Sequence, residues 1–127
     1  MTAESQPMHR KPGNAGVARL LAASAHSMRG LRQCWRHEAA FRQEVVVALP
    51  LLAVAVFGHF ERVERALLIA SVLLVLIVEV LNSGIEAVVD RIGLERHPLS
   101  GMAKDLGSAA VTLSLVLAAS VWGCILL

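Results

Sequence analysis

The chain lacks most of the local signatures by which a soluble enzyme declares itself. It has two cysteines, Cys34 and Cys124. They fall in different predicted elements, near opposite faces of a bilayer, so no disulfide within the chain is expected. Neither has metal-site spacing. No Gly-x-x-x-x-Gly-Lys-Ser/Thr run and no Gly-x-Gly-x-x-Gly run occurs. Any nucleotide is therefore expected to bind without a familiar phosphate loop. Net charge is only +2 and no nucleic-acid motif is present, so no nucleic-acid partner is expected. Residues 1–14 lack an apolar core. They read as a mobile tail with no cleavable signal. There is no internal repeat.

Apolar residues fill the rest. Hydrophobic residues make up 56% of the 127 positions, and mean hydropathy is +0.62. That exceeds ordinary soluble composition. Three stretches account for it, at residues 45–60, 66–81 and 106–127. Crossing a bilayer core takes about 20 helical residues. Short extensions bring all three to that length, giving expected spans at 39–60, 66–89 and 104–127. Three buried soluble helices in so short a chain would leave too little polar covering. The reading is an all-α membrane protein with one membrane domain, residues 15–127.

Residues 15–36 carry Leu20, Leu21, Met28, Leu31 and Trp35 at helical spacing, with Arg19, Arg29, Arg32 and Arg36 interspersed. This pattern predicts an amphipathic helix lying on the membrane surface. Pro50 is expected to bend the first span or leave one carbonyl unpaired. Gly93 reads as the cap of the second span, and Pro98 as a stop to further helix. The last helix is expected to begin near Ser100. The flank through Arg42 holds seven Lys and Arg, the loop from Arg91 to Lys104 three, and the first connection two. That asymmetry predicts a cytoplasmic N-terminus and a C-terminus outside.

One feature is out of keeping with a plain span. Glu79, Asn82, Ser83, Glu86 and Asp90 follow an uncharged apolar run. At about 100° per residue they share a sector roughly 100° wide. A carboxylate near the edge of a span costs on the order of 2 kcal/mol or more. It persists where it faces protein, water or an ion. Glu79 lies about 21 Å along the helix from Arg65 at 1.5 Å per residue, at the depth of lipid glycerol groups. It is the candidate general base. Glu86, nearer the headgroups, is a candidate ligand for a divalent cation. The alternative is a stripe that only holds helices together.

Two further clusters stay open between chemistry and structure. Glu38 is either a second carboxylate for a cation shared with Glu86 or a salt-bridge partner of Arg42 four residues on. Glu95, Arg96 and His97, with Lys104 and Asp105, are either phosphate contacts or ordinary loop charges. Ser108, Thr112 and Ser114 are expected to hydrogen-bond across helices.

Three motifs then point to a family. They are Glu38-Ala39-Ala40-Phe41-Arg42-Gln43-Glu44, then Val78-Glu79-Val80-Leu81-Asn82-Ser83-Gly84-Ile85-Glu86-Ala87-Val88-Val89-Asp90-Arg91-Ile92-Gly93, then Ala103-Lys104-Asp105-Leu106-Gly107-Ser108-Ala109-Ala110-Val111. In this order and spacing they resemble the small bacterial integral-membrane diacylglycerol kinases, from about Arg19 to Leu127. The resemblance implies a homotrimer of three-span subunits in the bacterial inner membrane, with sites shared between subunits. It implies transfer of the ATP γ-phosphate to diacylglycerol with Mg²⁺. Glu79 stands where the family has its base, and Glu38 and Glu86 at its metal positions. Arg19, His26, Glu38, Glu86, Glu95, Arg96, His97, Lys104 and Asp105 align with nucleotide contacts. Arg32, Trp35, Phe41, Arg42, Gln43, Glu44, Glu79, Ser108 and Trp122 align with the lipid region. Asn82 and Asp90 support the site. His26, Pro50 and Pro98 depart from the family pattern. Undecaprenol kinases share the three motifs, so undecaprenol is the alternative acceptor. A small proton-coupled transporter is a more remote reading, and it leaves Glu38, Glu86 and the Lys104-Asp105 pair unexplained.

Overall fold

The structure is a computed structural model and describes residues 15–127. The tail expected at 1–14 lies outside the described residues. Among the described residues all the regular structure is helical. Four helices follow in order: α1 (Ala15–His37), α2 (Ala39–Phe57), α3 (Arg62–Ile92) and α4 (Pro98–Leu126). The last three are long and apolar enough to cross a membrane. The chain divides into two compact units, one ending at Arg32 and one covering residues 33–127. The first contains most of α1. The second holds the three long helices.

A single residue separates α1 from α2. Glu38 has an extended backbone (φ −114°, ψ 104°) and its side chain caps nothing. Arg42 does not pair with it. Its guanidinium donates instead to the carbonyls of Trp35 at 2.7 Å and Arg36 at 3.1 Å. Those carbonyls sit where a helix runs out of its own donors, and a cation there also suits the helix dipole. Of the two alternatives for Glu38, the salt bridge with Arg42 loses to this arrangement, which leaves the Glu38 carboxylate uncommitted.

Helix α2 runs unbroken through Pro50. The missing N–H then leaves the Val46 carbonyl without its donor four residues on. The buried residues Phe41, Ala48 and Ala55 recur every seven positions, the repeat of one helix face against α3. The helix stops at Phe57, three residues before the expected end. Gly58 allows this: a Cβ there would meet the Phe60 ring at 2.5 Å and the Val54 carbonyl at 2.6 Å.

The tip of the α2–α3 hairpin is tied by Arg65. Its guanidinium donates to the carbonyls of Ala55 at 2.8 Å, Gly58 at 3.1 Å and Phe60 at 3.2 Å, and to that of Val56. Glu64 accepts from the Glu61 N–H at 3.1 Å. An acidic residue in the first turn favours the positive end of the dipole, so α3 begins at Arg62 rather than residue 66.

Helix α3 continues to Ile92, three residues beyond the expected end. Gly93 ends it in an extended conformation (φ 172°), with its N–H on the Val89 carbonyl at 3.3 Å. Pro98 was expected to stop further helix and instead starts α4. Proline at the first helical position loses nothing, because that N–H has no partner in any helix. His97 caps the start, its Nδ1 accepting from the Leu99 N–H at 3.1 Å.

Helix α3 is central and packs against both α2 and α4. Its buried positions are Leu68, Ser71, Val72, Val75, Glu79, Asn82 and Val89, at steps of mostly three and four. This is one continuous stripe. Its first half, with Ala48, Ala55 and Trp122, forms the apolar core. Its second half is the polar row. Ile77, Leu81, Ile85 and Val88 on the same helix remain exposed.

Candidate functional site

The stripe on α3 changes character at Glu79. Below it, Trp122 of α4 donates its indole N–H to Ser71 Oγ at 3.2 Å, and Ser71 donates to the Leu68 carbonyl at 3.0 Å. Above it come Glu79, 4% exposed, and Asn82, 9% exposed. Asn82 Nδ2 donates to Glu86 Oε1 at 3.5 Å. One turn on, Lys104 of α4 meets Asp90 at 2.7 Å. The row from Glu79 to Asp90 thus leads along roughly 16 Å of helix at 1.5 Å per residue, from a buried carboxylate to an open ion pair.

Two cavities lie at the ends of this row. A groove of about 490 Å³ opens between α2 and α4, with α3 as its floor. Its walls are apolar: Val47, Ala48 and Leu51, then Val72, Val75 and Leu76, then Leu115, Ala118, Ala119, Trp122 and Leu126. Gln43 and Glu44 give it one polar end. Glu79 sits one turn beyond Val75. The second cavity, about 580 Å³, has a mixed lining that carries charged side chains. It is built on the α3–α4 loop and lined by Asp90, Glu95, Arg96, His97, Ser100 and Lys104, among others. Glu86 precedes it by one turn.

Glu38 and Glu86 lie within charge range of Glu79, and Glu79 within charge range of Glu44. Helices α2 and α3, with the residue that joins α1 to α2, therefore set four carboxylates within range of one another's charge. Among the described residues no three His, Cys, Asp or Glu side chains are grouped to hold an ion unaided. A closed structural metal site is thus a poor fit. An all-oxygen set that supplies only some of the ligands suits a hard cation completed by water and phosphate oxygens. Glu44 Oε2 and Asn82 Oδ1 are buried without a partner. Such atoms are rare in a finished interior; the Glu44 oxygen is an acceptor of the kind a hard cation or an incoming donor satisfies, whereas the Asn82 oxygen lies against Gly107 of α4.

The other predicted residues divide as follows. Glu95, Arg96, His97 and Lys104 come together around the loop cavity, whereas Asp105 is exposed and outside its lining. Phe41 and Trp122 are buried in the helix packing; Trp122 also walls the groove. Trp35 is exposed. Arg19, His26 and Arg32 belong to the unit ending at Arg32, where His26 Nδ1 is bonded to the Arg29 guanidinium. The serines and threonine of α4 do not bond across helices. Thr112 donates to the Ser108 carbonyl at 3.2 Å and Ser114 to the Val111 carbonyl at 2.7 Å. A carbonyl one turn back on the same helix is the nearer acceptor. Sequence reasoning missed Ser71, which its position on the Glu79 stripe would have marked. It also missed Gly107, whose side of the helix no local signal gives.

Comparison with known proteins identifies the family. Residues 25–126 match the family model of prokaryotic diacylglycerol kinase. The diacylglycerol kinase of Escherichia coli K12 is 54% identical over 112 residues, covering 88% of this chain and 91% of its own. Those of Pseudomonas aeruginosa and Haemophilus influenzae are 51% and 46% identical, covering 91% and 87% of this chain and 94% of their own in each case. The chain belongs to the prokaryotic diacylglycerol kinase family.

Proposed function

We propose that this chain transfers the γ-phosphate of ATP to the free hydroxyl of diacylglycerol, giving phosphatidic acid and ADP. The observation that carries this is a buried Glu79 between an apolar groove and a loop cavity edged by charged side chains. An acyl chain fits the groove between α2 and α4, with the glycerol end toward Gln43 and Glu44. The triphosphate fits the loop cavity, where Arg96, His97 and Lys104 supply positive charge or donors. ATP then stays at the headgroup boundary.

Phosphoryl transfer needs mainly positioning and charge neutralisation. Glu79 accepts the proton of the lipid hydroxyl. The hydroxyl oxygen bonds to the γ-phosphorus as the bond from that phosphorus to the β–γ bridging oxygen breaks, and ADP leaves with those electrons. Glu38 and Glu86 would hold Mg²⁺, which neutralises phosphate charge when bound. Asn82 fixes Glu86, and Asp90 holds Lys104 at the cavity mouth. Arg19, His26, Glu95 and Asp105 are assigned to the nucleotide, and Arg32, Trp35, Phe41, Arg42, Ser108 and Trp122 to the lipid region.

The membrane setting completes the reading. The apolar faces of α2, α3 and α4 suit a bilayer, and the excess of positive charge before α2 favours a cytoplasmic N-terminus in a bacterial inner membrane. Helix α1 has the pattern of a surface helix. Three copies together would enclose the polar stripe that one chain leaves partly open, so the assembly is a homotrimer.

The test is phosphorylation of lipid alcohols in mixed micelles with radiolabelled ATP. Labelled phosphatidic acid is expected. Label entering undecaprenol alone would reassign the acceptor, and no labelled lipid at all would remove the function. Glu38→Gln and Glu86→Gln should raise the half-saturating Mg²⁺ concentration by at least the roughly 10–100-fold typical of outer-shell changes. Unchanged Mg²⁺ dependence in both would assign these carboxylates to packing.

A further inference from the structure

Gly107 lies buried on α4 directly opposite Asn82. A Cβ built on it would overlap Asn82 Oδ1 and approach Asn82 Cγ to 3.2 Å. No other glycine among those described would meet the polar stripe. Asn82 is a two-ended group. Its amide nitrogen faces the Glu86 carboxylate, and its amide oxygen occupies the space that a side chain at 107 would take. The opposite amide orientation would set oxygen against carboxylate, so the contact with Glu86 fixes which end meets α4.

We propose that Gly107 is a positioning residue. By leaving its Cβ position open it seats the Asn82 oxygen, turns the amide nitrogen toward Glu86, and thereby holds that carboxylate in place for a divalent cation. The proposal rests on the assignment of Glu86 to the cation. The local geometry makes the effect specific. Asn82 is buried, so its amide cannot swing freely into solvent when displaced. Its oxygen has no hydrogen-bond partner, so with the nitrogen on Glu86 the shape of α4 at residue 107 determines how far the oxygen can reach. A methyl at 107 pushes the amide off Glu86 while leaving the apolar half of the α3–α4 interface, around Ser71 and Trp122, untouched.

The experiment is a double-mutant cycle on the purified full chain in lipid–detergent micelles, using Gly107→Ala, Asn82→Ala and the double variant. Two quantities are read: Mn²⁺ affinity in the presence of ATP, by electron paramagnetic resonance, and the Mg²⁺ dependence of lipid phosphorylation. Gly107→Ala is expected to weaken Mn²⁺ binding by about 10–100-fold, the usual range for loss of a group that orients a metal ligand. Asn82→Ala should do the same. The double variant should be no weaker than Asn82→Ala alone, because the methyl then meets empty space. That background also keeps the test readable if Gly107→Ala by itself folds poorly. Fully additive losses, or unaltered Mn²⁺ affinity in Gly107→Ala, would overturn the proposal. Failure of the functional reading shows differently: wild-type chain would phosphorylate no lipid, or Glu86→Gln would bind Mn²⁺ as wild type does.

Discussion

Glu79→Gln is expected to lower turnover by about 10²–10⁴-fold, the range a positioned general base contributes, without changing the fold. Glutamine has the same length and shape but cannot take a proton from a hydroxyl. The packing argument supports a folded variant. Glu79 is 4% exposed and stands near Glu38, Glu44 and Glu86, so replacing its charge removes like-charge repulsion from a buried site and makes none. Buried charges are held at a cost rather than for stability. Steady-state assays with lipid and ATP varied separately, with size-exclusion chromatography in detergent, test this. A near-unchanged Michaelis constant for lipid with a collapsed turnover number places Glu79 at the chemical step. Full activity in Glu79→Gln would remove it as the base.

The second large effect is on stability. Arg65→Ala is expected to destabilise the chain by about 2–4 kcal/mol, since hydrogen bonds to charged groups are each worth roughly 1.5–3 kcal/mol and partial exposure discounts their sum. Arg65 serves the carbonyls of Ala55, Val56, Gly58 and Phe60. The first two lie in the last turn of α2, where carbonyls have no intrahelical donor. Arg65→Lys should recover little of the loss. An ammonium is a compact point donor, whereas the guanidinium fork reaches several carbonyls in fixed directions. Unfolding by titration with sodium dodecyl sulfate in micelles measures this. Unfolding of Arg65→Ala at the wild-type midpoint would show that the bracket contributes nothing. Turnover should change far less than in Glu79→Gln, because Arg65 lies at the opposite end of α3 from the polar row.

The two residues illustrate how differently the sequence speaks of them. Glu79 is conspicuous because a charge in an apolar run demands a reason, and the helical repeat alone puts Asn82, Ser83, Glu86 and Asp90 beside it. Arg65 reads as one charge among four in a short connection. Its role depends on how the chain folds back at Gly58, which no local pattern contains. The same division runs through the caps. Proline at 98 looks like a terminator in isolation, and becomes an initiator because His97 faces the Leu99 N–H. Arg42 looks like a partner for Glu38 at four-residue spacing, and goes instead to carbonyls at the end of α1.

What the chain settles by itself is whatever follows from periodicity and transfer energy. Three helices long enough to span a bilayer and one polar stripe on the middle helix are read directly, because each depends only on residues within a few turns of one another. Tertiary structure alone decides what the stripe faces. The groove between α2 and α4, the approach of Glu38 and Glu44 to Glu79, and the fit of Gly107 to Asn82 join residues far apart in the chain. Contacts of that kind are fixed by how helices pack side chain against side chain, and the one-dimensional pattern carries no record of which faces will meet.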